Sequence, residues 1–190
     1  EIWRRVINGT VADSYNSANA VTVDGAGNVV AAGVTNSGCA DSCDFSVGDL
    51  TVIKFSGADG TELWRAGING SAANSNNYAN AVTVDGAGNV VAAGVSNSLV
   101  GDFTVIKFNG VTGAELWRQV ITGNIPQNFR SIDGIDSANA VTVDGEGNVV
   151  AAGFIVNVES GGPVGIRSAW PFTVIKFNGA TGAEIWRQAI

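Results

Sequence analysis

Ala79-Asn-Ala-Val-Thr-Val-Asp-Gly-Ala-Gly-Asn-Val-Val-Ala-Ala-Gly94 occurs three times in this chain, beginning again at Ala18 and at Ala138 with Glu146 as the one change. Asp24, Asp85 and Asp144 mark the same point of each copy, 61 and 59 residues apart. A period near sixty is too long for one solenoid turn and implies a repeated supersecondary unit. Each repeat divides into four strand-like segments, in the second copy residues 81–85, 89–95, 103–108 and 115–121. Asp85-Gly-Ala-Gly-Asn89 joins the first two and Asn109-Gly-Val-Thr-Gly113 the last two. Short glycine-rich joins of this kind fit antiparallel hairpins, whose turns need residues at positive φ. No segment sustains apolar residues at helical spacing.

Alternation along the strands gives the packing. Phe103, Val105 and Lys107 share one face of the third segment, and Thr104, Ile106 and Phe108 the other. Apolar side chains on both faces require cover on both sides, and a four-stranded unit sandwiched between copies of itself is a propeller blade. The expectation is an all-β, β-propeller-type domain over residues 1–190, built of four-stranded antiparallel blades. Full repeats span residues 18–70, 79–123 and 138–190, and residues 1–7 form one extra, lone outer strand. The fourth-strand tryptophan occurs four times, as Trp3, Trp64, Trp117 and Trp186, and is expected to lock neighbouring blades. Three blades are fewer than the roughly four to eight that close a ring. A fragment of a larger propeller, an oligomer that completes the ring and an open array all remain open.

The runs Ala-Asn-Ala-Val-Thr-Val-Asp-Gly-x-Gly-Asn-Val-Val-Ala-Ala-Gly, Asp-Phe-Thr-Val-Ile-Lys-Phe-Asn and Gly-Ala-Glu-Leu-Trp-Arg resemble the bacterial β-propeller repeats called SBBP repeats. The last run, residues 113–118, is also similar to the blade end of quinoprotein (PQQ-type) repeats. The resemblance covers nearly all of the chain. It implies a propeller in a surface or secreted protein. No quinoprotein site motif is present to carry over.

Composition narrows the function. Apolar residues make up 45% of the 190 and charged residues 14%, against about 25% charged in an average globular protein. A net charge of −7 with ten Lys and Arg opposes nucleic-acid binding. No apolar run approaches the roughly 20 residues of a membrane helix, so no membrane span is expected. The chain has no His, which removes the commonest general base and the usual zinc and haem ligand. It has no Met and opens on the tail of a repeat rather than on a signal peptide, as a processed product or a segment would. Cys39 and Cys43, in a polar loop the other repeats lack, are expected to form a disulfide in an oxidising, extracytoplasmic compartment. Two such ligands make a poor metal site. No metal and no cofactor is expected, and the cell surface or extracellular space, with the periplasm as an alternative, is the expected location.

Side chains present in every repeat are expected to serve packing. Lys54, Lys107 and Lys176 stand mid-strand beside the hairpins of Asp24, Asp85 and Asp144, and an Asp–Lys pair is expected in each blade. Function belongs where repeats differ. With strands running alternately up and down, the tight turns share one end of the blades and all length variation falls at the other. The third repeat carries the richest of these connections. Phe129, Arg130, Arg167 and Trp170 combine aromatic and guanidinium groups suited to an interface. Asp133, Asp136 and Glu159 add carboxylates for a sugar or cation. Asn8-Gly-Thr10 and Asn69-Gly-Ser71 are glycosylation sequons in equivalent connections at the same end. No catalytic residue is assigned. The reading is a non-catalytic scaffold for binding or surface assembly, its partner a protein (self-association included) or a carbohydrate. The alternative is a fragment of a propeller enzyme, quinoprotein or carbohydrate-active, whose chemistry lies outside these repeats.

Overall fold

The computed structural model describes residues 1–9, 14–37, 48–68, 77–96, 101–124, 136–159 and 167–190. Three four-stranded antiparallel sheets follow one another along the chain. Blade 1 contains β1 (Tyr15–Val23), β2 (Val29–Ser37), β3 (Asp49–Phe55) and β4 (Glu62–Ile68). Blade 2 contains β5 (Tyr78–Val84), β6 (Val90–Ser96), β7 (Asp102–Phe108) and β8 (Glu115–Ile121). Blade 3 contains β9 (Ser137–Val143), β10 (Val149–Phe154), β13 (Phe172–Phe177) and β14 (Glu184–Ala189). Between β10 and β13 a two-stranded ribbon, β11 (Asn157–Glu159) with β12 (Arg167–Ala169), stands apart from the blade. Each blade is a meander of its four strands in chain order, with the ribbon inserted between the second and third strands of blade 3.

Neighbouring blades touch mainly through their inner strands, β1 with β5, β5 with β9, β2 with β5 and β6 with β9. The sheets therefore fan outward from their first strands, which is the propeller arrangement. Two apolar cores fill the two junctions. Val30, Leu50, Val52 and Trp64 of blade 1 pack on Val90, Ala92, Ile106 and Phe108 of blade 2. Val91, Phe103, Val105 and Trp117 of blade 2 pack in the same way on Val149, Ala151, Ile175 and Phe177 of blade 3. The two faces read from the alternation of β7 are the two faces so covered, and every residue of β6 and β7 is buried.

Two register irregularities recur in all three blades, and blade 1 adds a third between Tyr15 and Ser17. One lies between Ala79 and Ala81, at Asn80, and turns that side chain toward the next blade. The other lies between Lys107 and Phe108 and places Glu115 opposite Phe108. Residues 1–7 depart from expectation, because residues 1–9 form no strand. An outer strand needs a third strand to bond, and among the described residues none stands beside this segment. It lies instead against the uncovered face of blade 1, where Trp3, Arg5, Val6 and Ile7 border a cavity of about 410 Å³.

Candidate functional site

The tight-turn end of each blade is built by one repeated constellation. In blade 2 the Asp85 carboxylate accepts backbone N–H bonds from Ala87 (2.9 Å) and Asn89 (2.8 Å), closing the β5–β6 hairpin. Its other oxygen holds Lys107 Nζ at 2.7 Å with both side chains buried. Lys107 then donates to the Gly179 carbonyl of blade 3 at 2.7 Å, and the Trp117 indole N–H donates to the same oxygen at 3.1 Å. Blade 1 repeats each part: Asp24 holds Lys54 at 2.8 Å, and Lys54 and Trp64 both donate to the Gly110 carbonyl. Burial pushes the Asp24 and Asp85 carboxyls up, but the lysine and Asn28 or Asn89 outweigh it and hold both below the ordinary carboxylate range. Every charge here is matched within the frame, so this end makes rigid joints.

Blade 3 varies the theme. Glu146, where the other repeats have alanine, accepts the Asn148 side-chain bond that Asn89 gives to Asp85. It also stands 3.8 Å from Lys176, which Asp144 holds at 2.8 Å. Asp144 is lowered to about 2, chiefly by the bond from Lys176.

The other end carries the differences. Asp136, picked from the sequence as a surface ligand group, is fully buried. Its two oxygens accept the backbone N–H groups of Gly123 and Val156, each at 2.5 Å, tying both variable connections of blade 3 to β9. The ordinary sequence signal was its alignment with Asn16, whose side-chain oxygen likewise accepts the N–H of Asn36. Beside it sits Asp102, which the sequence reading passed over. It is buried, and its Oδ1 has no hydrogen-bond partner among the described residues. Burial raises Asp102, with a bond from Thr122 opposing; burial also raises Asp136, helped by the charge of Asp102.

The remaining candidates divide. Phe129, Arg130, Asp133, Cys39, Cys43 and Asn69 lie outside the described residues. Asn8 is exposed. Glu159 and Arg167 are paired in the β11–β12 register. Trp170 follows directly and is half exposed, lining a cavity of about 510 Å³ with Phe172, Phe154 and Asn139. Thus three of the seven candidates, Glu159, Arg167 and Trp170, share one element and its exit, and Asp136 bonds the backbone at Val156, just before that element. Of the four repeat tryptophans, Trp64 and Trp117 lock neighbouring blades, and Trp3 packs on blade 1 with its ring 6.2 Å from Phe55. Trp186 is 41% exposed and locks nothing among the described residues. Among those residues no helix is long and apolar enough to cross a membrane.

A scan against protein-family models finds no match, and no curated protein matches the chain. Among the solved structures similar in shape are two propeller-containing proteins of low sequence identity. BamB from Moraxella catarrhalis is 15% identical with a TM-score of 0.48, over 92% of this chain and 38% of that one. The quinohemoprotein alcohol dehydrogenase from Comamonas testosteroni is 12% identical with a TM-score of 0.49, over 93% of this chain and 35% of that one. The chain thus spans little more than a third of either protein's length.

Proposed function

We propose that this chain is a non-catalytic propeller scaffold of the SBBP-repeat type, acting outside the cytoplasm and holding a protein or carbohydrate at the variable end of blade 3. One observation carries the reading. The β11–β12 ribbon is the only secondary structure among the described residues that belongs to no blade. It is raised from a frame whose repeated charges are consumed in joints between strands and blades. A rigid scaffold that varies only its connections at one end is the usual platform for recognition. Arg167 and Trp170 belong to the residue types that concentrate binding energy, and Glu159 adds an acceptor for hydroxyl or amide groups.

The test is a glycan array and an amide NMR titration of its best binder, run on the wild-type chain and on a chain whose residues 155–171 are replaced by the short second-repeat connection. Saturable binding to the wild type, lost in the exchanged chain and in Arg167→Ala with Trp170→Ala, is the expected result. Binding that survives the exchange overturns the placement. Dye-linked alcohol oxidation on adding a quinone cofactor overturns the non-catalytic reading.

A further inference from the structure

Two variable connections meet at the junction between blades 2 and 3, and two buried aspartates stand where they meet. Asp102 opens β7 and is 5% exposed, and Asp136, directly before β9, is 0% exposed. Backbone bonds bring the two together. The Asp136 N–H donates to the Gly101 carbonyl at 3.1 Å, one residue from Asp102. Thr122 bonds the Asp102 side chain, and the next residue, Gly123, gives its N–H to Asp136. A Cβ on Gly123 would stand 3.0 Å from Asp136 Oδ1 and 1.9 Å from the Val156 carbonyl, so both connections close tightly on this carboxylate.

The first junction has the same frame and different chemistry. Gly48, Asp49 and Asn77 are the counterparts of Gly101, Asp102 and Asp136. The Asn77 N–H likewise donates to the Gly48 carbonyl, at 3.2 Å, and its side-chain amide adds a second bond at 2.9 Å. Asp49 Oδ2 accepts the Asn36 amide at 2.8 Å. Asn77 has amide hydrogens to give, whereas a charged Asp136 has none, and Asp102 Oδ1 beside it is buried with no partner among the described residues. One hydrogen held between the two acids restores the pattern.

We propose that Asp102 and Asp136 share one proton, and that its loss as pH rises loosens both variable connections of blade 3. Two buried carboxylates side by side repel when both are charged, so the pair keeps a proton that neither would keep alone. Asp136 accepts two backbone N–H bonds, which favour its charged form, and Asp102 Oδ1 meets no donor among the described residues. The proton therefore resides mainly on Asp102. Burial raises both carboxyls, and the charge of Asp102 raises Asp136 further. Raised groups contribute stability that is complete below their unfolded values and is lost as pH rises through their folded values. When the second charge appears, the groups free to give way are those Asp136 holds: Gly123 just past β8, and Val156 just before β11.

The described strands around the pair bring no counter-ion to it. β6, β9 and β10 contain no charged side chain. In β8, Arg118 pairs with Glu115, and in β7, Lys107 is held by Asp85. Glu159 and Arg167 are paired in register within the ribbon. Tyr78, which opens β5, is raised by burial and stays neutral. Arg130 and Asp133 precede Asp136 outside the described residues. The latch is read without any ligand, so its failure and that of the binding reading are distinguishable.

The test combines carboxyl NMR of isotope-labelled aspartate with amide hydrogen exchange from about pH 4 to about pH 9, expressed as protection relative to the unfolded chain at each pH. Wild type is expected to lose about tenfold or more in protection at Gly123 and Val156 as the pair gives up its last proton. Asn36, whose N–H is tied to the uncharged Asn16 side chain in blade 1, is expected to keep its protection. Asp102→Asn is expected to abolish the step and to keep both amides protected at the highest pH, because an amide does not ionise. Arg130→Ala is expected to leave the step where it is. Two carboxyls that both titrate in the ordinary range, flat protection at Gly123 and Val156, or a step that survives Asp102→Asn would each overturn the proposal. So would a step that appears only in Arg130→Ala, which makes the arginine the partner, or one that millimolar calcium abolishes, which makes the pair a metal site.

Discussion

Asp85 and Asp102 are both buried aspartates of blade 2, and their carboxyls move in opposite directions. Burial works against the charge of each. Asp85 has Lys107 and Asn89 to outweigh that cost; among the described residues Asp102 has only Thr122, and one of its oxygens has no partner. The signs follow. Asp85 is lowered, so its contribution is present above the unfolded value of 3.8 and is lost as pH falls through the folded value. Asp102 is raised, so the folded state binds its proton more tightly and loses stability as pH rises from 3.8 through the folded value. Asp102→Asn is therefore expected to stabilise the chain at pH 8 by about 1–3 kcal/mol. The gain should shrink toward pH 4 in urea unfolding, and no gain at pH 8 would refute it. Lys107→Met leaves Asp85 buried without its partner and is expected to cost about 3–5 kcal/mol. Lys176→Met should cost much less in the same assay, since Lys176 and Asp144 both reach solvent.

Among elements, the β3–β4 type of hairpin sets how closely blades approach. Gly113 sits at φ 72°, and a Cβ there would stand 2.8 Å from Trp64 Cε3. Side chains of L-residues disfavour that backbone by about 1–2 kcal/mol, and the tryptophan would also have to move. Gly113→Ala is expected to lower the midpoint of thermal unfolding by several degrees. Gly86→Ala, in the β5–β6 turn with nothing within 4 Å and no positive φ, should change it little. Equal effects of the two would show that blade spacing is not set at this hairpin. Strands and turns of this kind were legible in the sequence, because period-2 alternation and Asp-Gly-x-Gly-Asn turns are local signals. The ribbon β11–β12 was not, since its three-residue strands carry no alternation to read.

For the molecule as a whole, stability is a sum of blade and junction contributions. Blade 2 has both faces covered, and β6 and β7 are buried throughout, while every residue of β14 is exposed. Native-state hydrogen exchange is expected to be slowest in β6 and β7 and fastest in β14. Uniform protection across the three blades in dilute solution would contradict this. The sequence by itself determined the repeating unit, its four strands, its tight turns and the end at which the repeats differ, because each depends on residues close together in the chain. Only the tertiary structure decided that Asp136 is an internal tie, that Asp102 is buried beside it, and that Lys54 and Lys107 each join their own aspartate to a glycine carbonyl of the following blade. It also decided that Trp3 fills a slot on blade 1 while Trp186, in nearly the same local sequence, fills none. The reason is physical: burial and cross-blade bonds depend on what stands against a face, and identical residues meet different neighbours at the middle and at the edges of the array.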